Sequence, residues 1–277
     1  MSNNDYRFSV LMSIYKKEKV KNLSECIESL LTQTLMPNEI LLVKDGTLSH
    51  ELNSLIDEYT EKYPNLFTIV GYEKNHGLGY ALAFGLERCK YEFVARMDTD
   101  DIARKDRFEK QITEFKLDKE LTICGSHITE FTTDINYPKA RRKVPLIDKD
   151  IRNNGKMRDP FNHVTVMFRR SKILDAGNYE SCLSMEDSVL WAKLLMNPMV
   201  KAKNIDDDLV YVRADDDMIG RRGGVEYLKR YILGRRRMME IGYIGLMHYY
   251  VSIIVQIIIS LVPAKLRNTI FVKLLRS

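Results

Sequence analysis

Apolar runs and helical stripes alternate along the first hundred residues. Phe8–Ile14 is an apolar run of strand length, and Val20, Leu23, Cys26, Ile27, Leu30 and Leu31 then recur on one helical face. Pro37-Asn38 breaks that helix, and residues 39–44 (EILLVK) read as a buried strand. Leu48, Leu52, Leu55, Ile56 and Tyr59 form a second helical stripe that stops near Pro64. Phe67–Tyr72 predicts a third strand, a glycine-bearing loop over 75–79 leads into a helix through Leu82 and Leu86, and residues 91–97 predict a fourth strand. Such alternation means βαβ units, hence an α/β fold with a doubly wound, mostly parallel sheet covered on both faces. Beyond Asp101 the pattern loosens. Helices are expected at 107–117 and 189–196, strands at 121–131 and 164–168, and a basic, loop-rich stretch at 134–162.

Ligands of open α/β sheets sit beyond the carboxyl ends of the strands. Those ends here carry Ser13-Ile14-Tyr15, Lys44-Asp45-Gly46, Tyr72-Glu73-Lys74 and Asp98-Thr99-Asp100-Asp101. Three carboxylates within four residues repel one another unless a cation neutralises them, and oxygen ligands suit Mg²⁺ or Mn²⁺. A solvated acidic turn at the strand end accounts for the same tetrapeptide. Asp45-Gly46 fits a turn with glycine at positive φ, or a carboxylate that accepts from a base or ribose. Gly77-Leu78-Gly79 lacks the third glycine of a dinucleotide fingerprint and reads as a helix entry. Glu186-Asp187 opens a helix, where acidic residues complement the dipole or, alternatively, supply a general base. The runs 206–208 and 215–217 are all Asp and read as solvated loops; His163 reads as a structural histidine. Arg221-Arg222-Gly223-Gly224 is a basic turn suited to an anionic diphosphate or to solvent.

Composition divides the chain. The net charge of +5 hides eleven Lys and Arg against Glu226 and Glu240 in residues 219–277, a net +9, so residues 1–218 hold −4. An acidic body with a basic tail argues against a nucleic-acid coat protein. Four dispersed cysteines without a C-x-x-C pair fit a reducing compartment rather than a zinc ribbon or disulfide scaffold. The polar first residues lack a signal-peptide core, so a cytoplasmic start is expected. Residues 241–264 contain no Asp, Glu, Lys or Arg and are flanked by basic clusters. A single span would leave one cluster on the wrong side, so an interfacial or re-entrant helix is favoured over a spanning one, and both over a helix docked on protein.

The order of these segments resembles a family 2 glycosyltransferase of the GT-A type, close to enzymes that build bacterial exopolysaccharide, capsule and O-antigen repeats. The matching segments are Ser9 to Tyr15, Ile40 to Gly46, Asn75 to Gly79, Ala95 to Asp101, Arg107-Phe108-Glu109-Lys110-Gln111, Pro160-Phe161-Asn162-His163, Met185-Glu186-Asp187 with Leu190-Trp191, and Arg221 to Gly224. The resemblance implies a GT-A catalytic domain over 1–225 and a helical, membrane-associating region over 226–277. It implies a nucleotide-sugar donor held by Ser13, Tyr15, Asp45, Asn75, Gly79, Arg96, Asp98, Arg221 and Arg222. Asp98 and Asp100 take the places of the D-x-D motif and would hold Mn²⁺ or Mg²⁺, Asp187 falls at the catalytic base, and Glu186 supports it. The expected acceptor is a polyprenyl-diphosphate-linked saccharide at the cytoplasmic face of the cell membrane. Two positions depart from the pattern: Lys16 follows the first-strand tyrosine, where Asn is common, and Lys44 replaces an acidic residue. A sugar nucleotidyltransferase and a non-catalytic nucleotide-sugar binding module are the alternatives; the former would need a glycine-rich basic loop after the first strand, which is missing.

Overall fold

A computed structural model describes residues 6–180, 185–214 and 224–262 of the 277-residue chain. Its first half follows the expected alternation: β1 (Phe8–Ile14), α1 (Val20–Leu31), β2 (Glu39–Asp45), α2 (His50–Lys62), β3 (Phe67–Tyr72), α3 (Leu78–Leu86) and β4 (Phe93–Arg96). Local chemistry sets the boundaries. The Ser49 hydroxyl accepts from the Leu52 amide to cap α2, and Gly46 and Gly77 take φ of +90° at the turns that follow β2 and precede α3.

β5 (Ile102–Ala103), α4 (Arg107–Leu117), β6 (Leu121–Phe131), β7 (Ala140–Arg142), α5 (Asp148–Gly155), β8 (Met167–Arg169), α6 (Arg170–Asp175), α7 (Glu186–Met196), β9 (Lys201–Arg213), α8 (Gly224–Glu240) and α9 (Leu246–Leu261) complete the described elements. They form one sheet in the order β3-β2-β1-β4-β8-β6-β9-β5, with β7 paired to β6. Strands β3, β2, β1 and β4 run parallel. β8 enters antiparallel to both β4 and β6, and β5 is antiparallel to β9. The sheet is therefore mixed and only mostly parallel. The expected strand at 164–168 begins late, because residues 163–165 make a 3-10 turn before β8. The 134–162 stretch holds β7 and α5 rather than loop alone.

Alternation along the strands builds two apolar layers. Val10, Met12, Ile40 and Leu42 face Leu23 and Ile27 of α1, Ile56 of α2 and Phe108 and Phe115 of α4. Leu11, Leu41 and Val43 face Leu82 of α3, Ile173 of α6 and Leu190 and Trp191 of α7. The expected loop at 206–208 is instead part of β9, where Asp207 binds Arg104 and Lys110, and Asp208 binds Arg141. Ion pairing holds the acidic stretch, and buried Ala202, Leu209 and Val210 anchor the strand on either side of it.

The C-terminal helices close the second layer. Met238 and Ile244 pack with Met185, Val189 and Ala192, and Arg237 of α8 forms a two-pronged pair with Glu180 at 2.9 and 3.0 Å. The uncharged stretch 241–264 is not a single helix. Gly242, at φ +82°, ends α8: its amide donates to Met239 O and that of Tyr243 to Met238 O. The chain then turns into α9. No helix among the described residues is long and apolar enough to cross a membrane.

Gly234 fixes how closely α8 approaches α7, since a Cβ there would stand 2.5 Å from Met185 Cβ. Gly234→Val is expected to destabilise the protein by about 1–3 kcal/mol, as overpacking does. An unchanged thermal unfolding midpoint would show that α8 is not seated on Met185.

Candidate active site

The carboxyl ends of β1, β2 and β4 and the first turns of α3 and α7 converge on one polar region. Asp45, at the end of β2, is 4% exposed. Its oxygens accept from Asn75 Nδ2 at 2.8 Å, His76 N at 2.8 Å and Gly77 N at 3.1 Å. The carboxylate thus ties the glycine loop to the sheet and aims α3. Lys44, the departure beside it, turns away to Asn53 of α2 at 2.9 Å and brings no charge to that region. Ser13 is half-buried at the end of β1 and Tyr15 exposed just beyond it.

The acidic motif leaves β4 and folds back on α1. Thr99 Oγ1 donates to Glu18 at 2.6 Å, Cys26 Sγ to the Asp98 carbonyl, and the Arg213 amide to Asp101 at 2.8 Å. Ligand atoms of Asp98, Asp100 and Asp101 lie within 4.8 Å of one another. Asp98 and Asp100 are partly open to solvent, while Asp101 is buried. Burial, then the charge of Asp98, pushes the Asp100 carboxyl up to about 7; burial and Asp100 raise Asp101 well above the carboxylate range. Such a cluster of hard oxygens, costly when all ionised, is the donor set that a Mg²⁺- or Mn²⁺-sized cation relieves.

Arg96, on β4, is the buried cation at the centre, 3% exposed. Its Nη2 pairs with Asp98 Oδ1, while Nε and Nη1 are buried without a hydrogen-bond partner among the described residues. Burial opposes its charge, but Asp98 outweighs that and holds the guanidinium protonated. Two unspent donors beside a metal-type cluster suit an anionic ligand.

Across Arg96 stands the first turn of α7. Asp187 is 23% exposed, and its Oδ2 lies 3.9 Å from His163 Nδ1. Burial first, then Asp159 and Glu186, push its carboxyl up to about 8. Burial and Arg96 hold His163 well below its ordinary value, so the ring stays neutral, and its Nε2 bonds the Tyr179 hydroxyl at 2.9 Å. Ser188 Oγ bonds Asp159. Glu186 is buried against α3, where a Cβ at Gly79 would meet Glu180 O at 2.7 Å and Glu186 Cβ at 3.0 Å. Gly79 is therefore the contact that lets the two helix starts converge.

Of the residues singled out in the sequence, Ser13, Tyr15, Asp45, Asn75, Gly79, Arg96, Asp98, Asp100, Glu186 and Asp187 thus lie at the ends of these elements. Arg221 and Arg222 fall outside the described residues. His163, a structural histidine by sequence, is held by Tyr179 and stands beside Asp187; Tyr179 and Asp159 carry no sequence signal of their own, and the histidine's is its place in the Pro160-Phe161-Asn162-His163 segment of the family pattern.

Comparison with known proteins agrees with this layout. The model of "Glycosyl transferase family 2" matches residues 9–177. The amylovoran biosynthesis glycosyltransferase AmsE of Erwinia amylovora is 38% identical over 268 residues, which cover 96% of this chain and 98% of that protein. The UDP-Gal:α-D-GlcNAc-diphosphoundecaprenol β-1,3-galactosyltransferase of Escherichia coli is 36% identical over 278 residues, covering 100% and 99%. Among solved structures, a mannosyltransferase of Pyrobaculum calidifontis in complex with GDP-Man and Mn²⁺ superposes with a TM-score of 0.65 at 14% identity, covering 97% of this chain and 80% of that one. That likeness establishes a GT-A-like fold.

Replacing one member of the acidic cluster separates its two effects. Asp100→Asn is expected to raise the thermal midpoint of the metal-free protein by relieving repulsion, and to abolish the upward shift that Mn²⁺ gives the parent. A variant that keeps the full Mn²⁺ shift would remove Asp100 from the cation site.

Proposed function

The chain belongs to glycosyltransferase family 2, and on that premise we propose that it is an inverting, divalent-metal-dependent hexosyltransferase. Its donor is a UDP-sugar and its acceptor a saccharide on a polyprenyl diphosphate, in the synthesis of a bacterial surface polysaccharide. Family membership sets aside the nucleotidyltransferase and the binding module. The donor and acceptor classes follow the Escherichia coli galactosyltransferase, whose name specifies UDP-Gal and a diphosphoundecaprenol-linked sugar. Such an acceptor puts the enzyme to work at a membrane, at its cytoplasmic face.

The observation that carries this reading is the pairing of two different carboxylate environments around Arg96. Asp98 and Asp100 sit on one side, partly open and crowded, and Asp187 on the other, proton-affine at about 8. Carboxylates clustered within reach of one cation suit metal binding, and a separate, proton-affine carboxyl suits base catalysis.

Ser13, Tyr15, Asp45, Asn75 and Gly79 would receive the nucleotide at the strand ends. Asp98 and Asp100 would hold Mn²⁺ or Mg²⁺, which when bound offsets charge on the leaving diphosphate. Arg96, with two donors that have no partner among the described residues, adds a fixed positive charge there, and Arg221 and Arg222 are assigned to the same diphosphate from sequence order alone. Asp187 takes the proton of the acceptor hydroxyl. The new bond forms between that oxygen and the anomeric carbon, the bond to the diphosphate oxygen breaks with its electron pair leaving on UDP, and in-line displacement inverts the centre. Glu186 keeps Asp187 proton-affine, and neutral His163, held by Tyr179, stands beside it.

A base must be ionised to act, so with a carboxyl raised to about 8 the rate of transfer is expected to climb as pH rises towards 8 and then level. Asp187→Asn should lower transfer by at least about 10²–10⁴-fold, the worth of a general base, while UDP-sugar binding by calorimetry stays near the parent's. Substantial transfer by that variant would end the base assignment.

A further inference from the structure

α9 carries its polarity inside out. Its buried positions are polar: Ser252 is 3% and Gln256 7% exposed. Ser252 Oγ accepts from Arg235 Nε at 3.0 Å, and Gln256 bonds Ser260. Its outward positions are apolar without exception, and include Leu246, Met247, Tyr250, Ile254, Val255 and Ile258, between 47% and 71% exposed. These recur at helical spacing along a stripe of roughly 18 Å, and α9 contains no charged residue. A helix that docks on protein turns its apolar side in; this one satisfies its polar side internally and leaves the apolar side outward.

We propose that the outer face of α9 docks onto an anionic lipid bilayer, with the helix lying in the plane of the interface. Three observations select lipid over a second copy of this chain. The polarity inversion suits a surrounding that is not water. The fifteen residues after Val262 add Lys265, Arg267, Lys273 and Arg276 and no acidic residue, a charge that anionic headgroups attract and a twofold pairing of α9 faces would oppose. And α9 is too short and too closely bound to α8 to span.

The docking face is joined rigidly to the reaction site. Arg235, 3% exposed, ties Ser252 of α9 to the Lys156 carbonyl at 2.6 Å. One residue before it, Gly234 rests on Met185, which precedes Glu186 and Asp187. Lipid bound to α9 therefore holds the base-bearing end of α7 at a fixed attitude to the bilayer. This step rests on the lipid-linked acceptor proposed above; the docking itself does not.

The test is co-sedimentation of the full chain with phosphatidylcholine vesicles made with and without phosphatidylglycerol. The parent is expected to sediment with the phosphatidylglycerol vesicles, less so as salt rises. The double variant Ile254→Gln, Ile258→Gln should lose on the order of tenfold or more of that partitioning. Leu117→Gln, on the exposed side of α4, should lose none. The thermal midpoint and its shift by UDP-sugar, unchanged in all three proteins, show that fold and donor site are intact. No sedimentation of the parent, equal sedimentation of the double variant, or a dimer by light scattering that the double variant converts to monomer would each overturn the proposal. Vesicle binding by a protein that transfers nothing to a lipid-linked acceptor would instead refute the proposed function and leave the docking face standing.

Discussion

The buried positive charge of Arg96 organises the candidate site of this protein. Arg96 projects from β4, the strand where the parallel sheet gives way to antiparallel β8, and it is almost sealed from solvent. An isolated guanidinium there would be prohibitively costly. It is tolerated because carboxylates surround it: Asp98 by direct contact, with Asp100, Asp101 and Asp187 also within its field. The reverse also holds, since those carboxylates crowd one another and the arginine lowers the proton affinity their repulsion creates. The site is thus an electrostatic compromise, one that still leaves Asp100 and Asp187 proton-affine near neutrality.

The compromise costs stability, and the fold offsets it in the surrounding contacts. Both faces of the sheet are packed with fully buried aliphatic and aromatic side chains, and Phe161 and His163 sit edge-on to Trp191 beneath the first turn of α7. Glu180 gathers Lys193 and Arg237 into one network, which pulls its own carboxyl down to about 2. α8 is thereby fastened to α7 by charge as well as by the close approach at Gly234. The C-terminal helices thus support the end of α7 that carries Glu186 and Asp187.

Much of the fold was legible along the chain. β1, β3, α4 and β6 lie at the expected residues, because each is an apolar run or stripe whose period leaves no competing structure. The acidic motif after the fourth strand stands out as carboxylates delivered by a buried strand, whereas the Glu186-Asp187 pair is singled out only by its place in the family pattern, since acidic residues at a helix start are otherwise explained by the dipole. β9 was not legible. Its Asp206-Asp207-Asp208 run looks like solvent-exposed loop until Arg104, Lys110 and Arg141, between 67 and 103 residues earlier, are brought beside it.

The sequence by itself determined the order of elements over the first hundred residues, the ends of those strands, and the residues placed there, since all of these depend on local period and on neighbours within a few positions. Tertiary structure decided what those residues do to one another. That Arg96 acts on Asp187 as well as on Asp98, that His163 stands beside Asp187, and that α9 seats Ser252 against Arg235 and leaves Ile254 outward all depend on contacts between separate elements. Electrostatic shifts and buried hydrogen bonds fall off over a few ångströms in space, and separation along a chain carries no record of that distance.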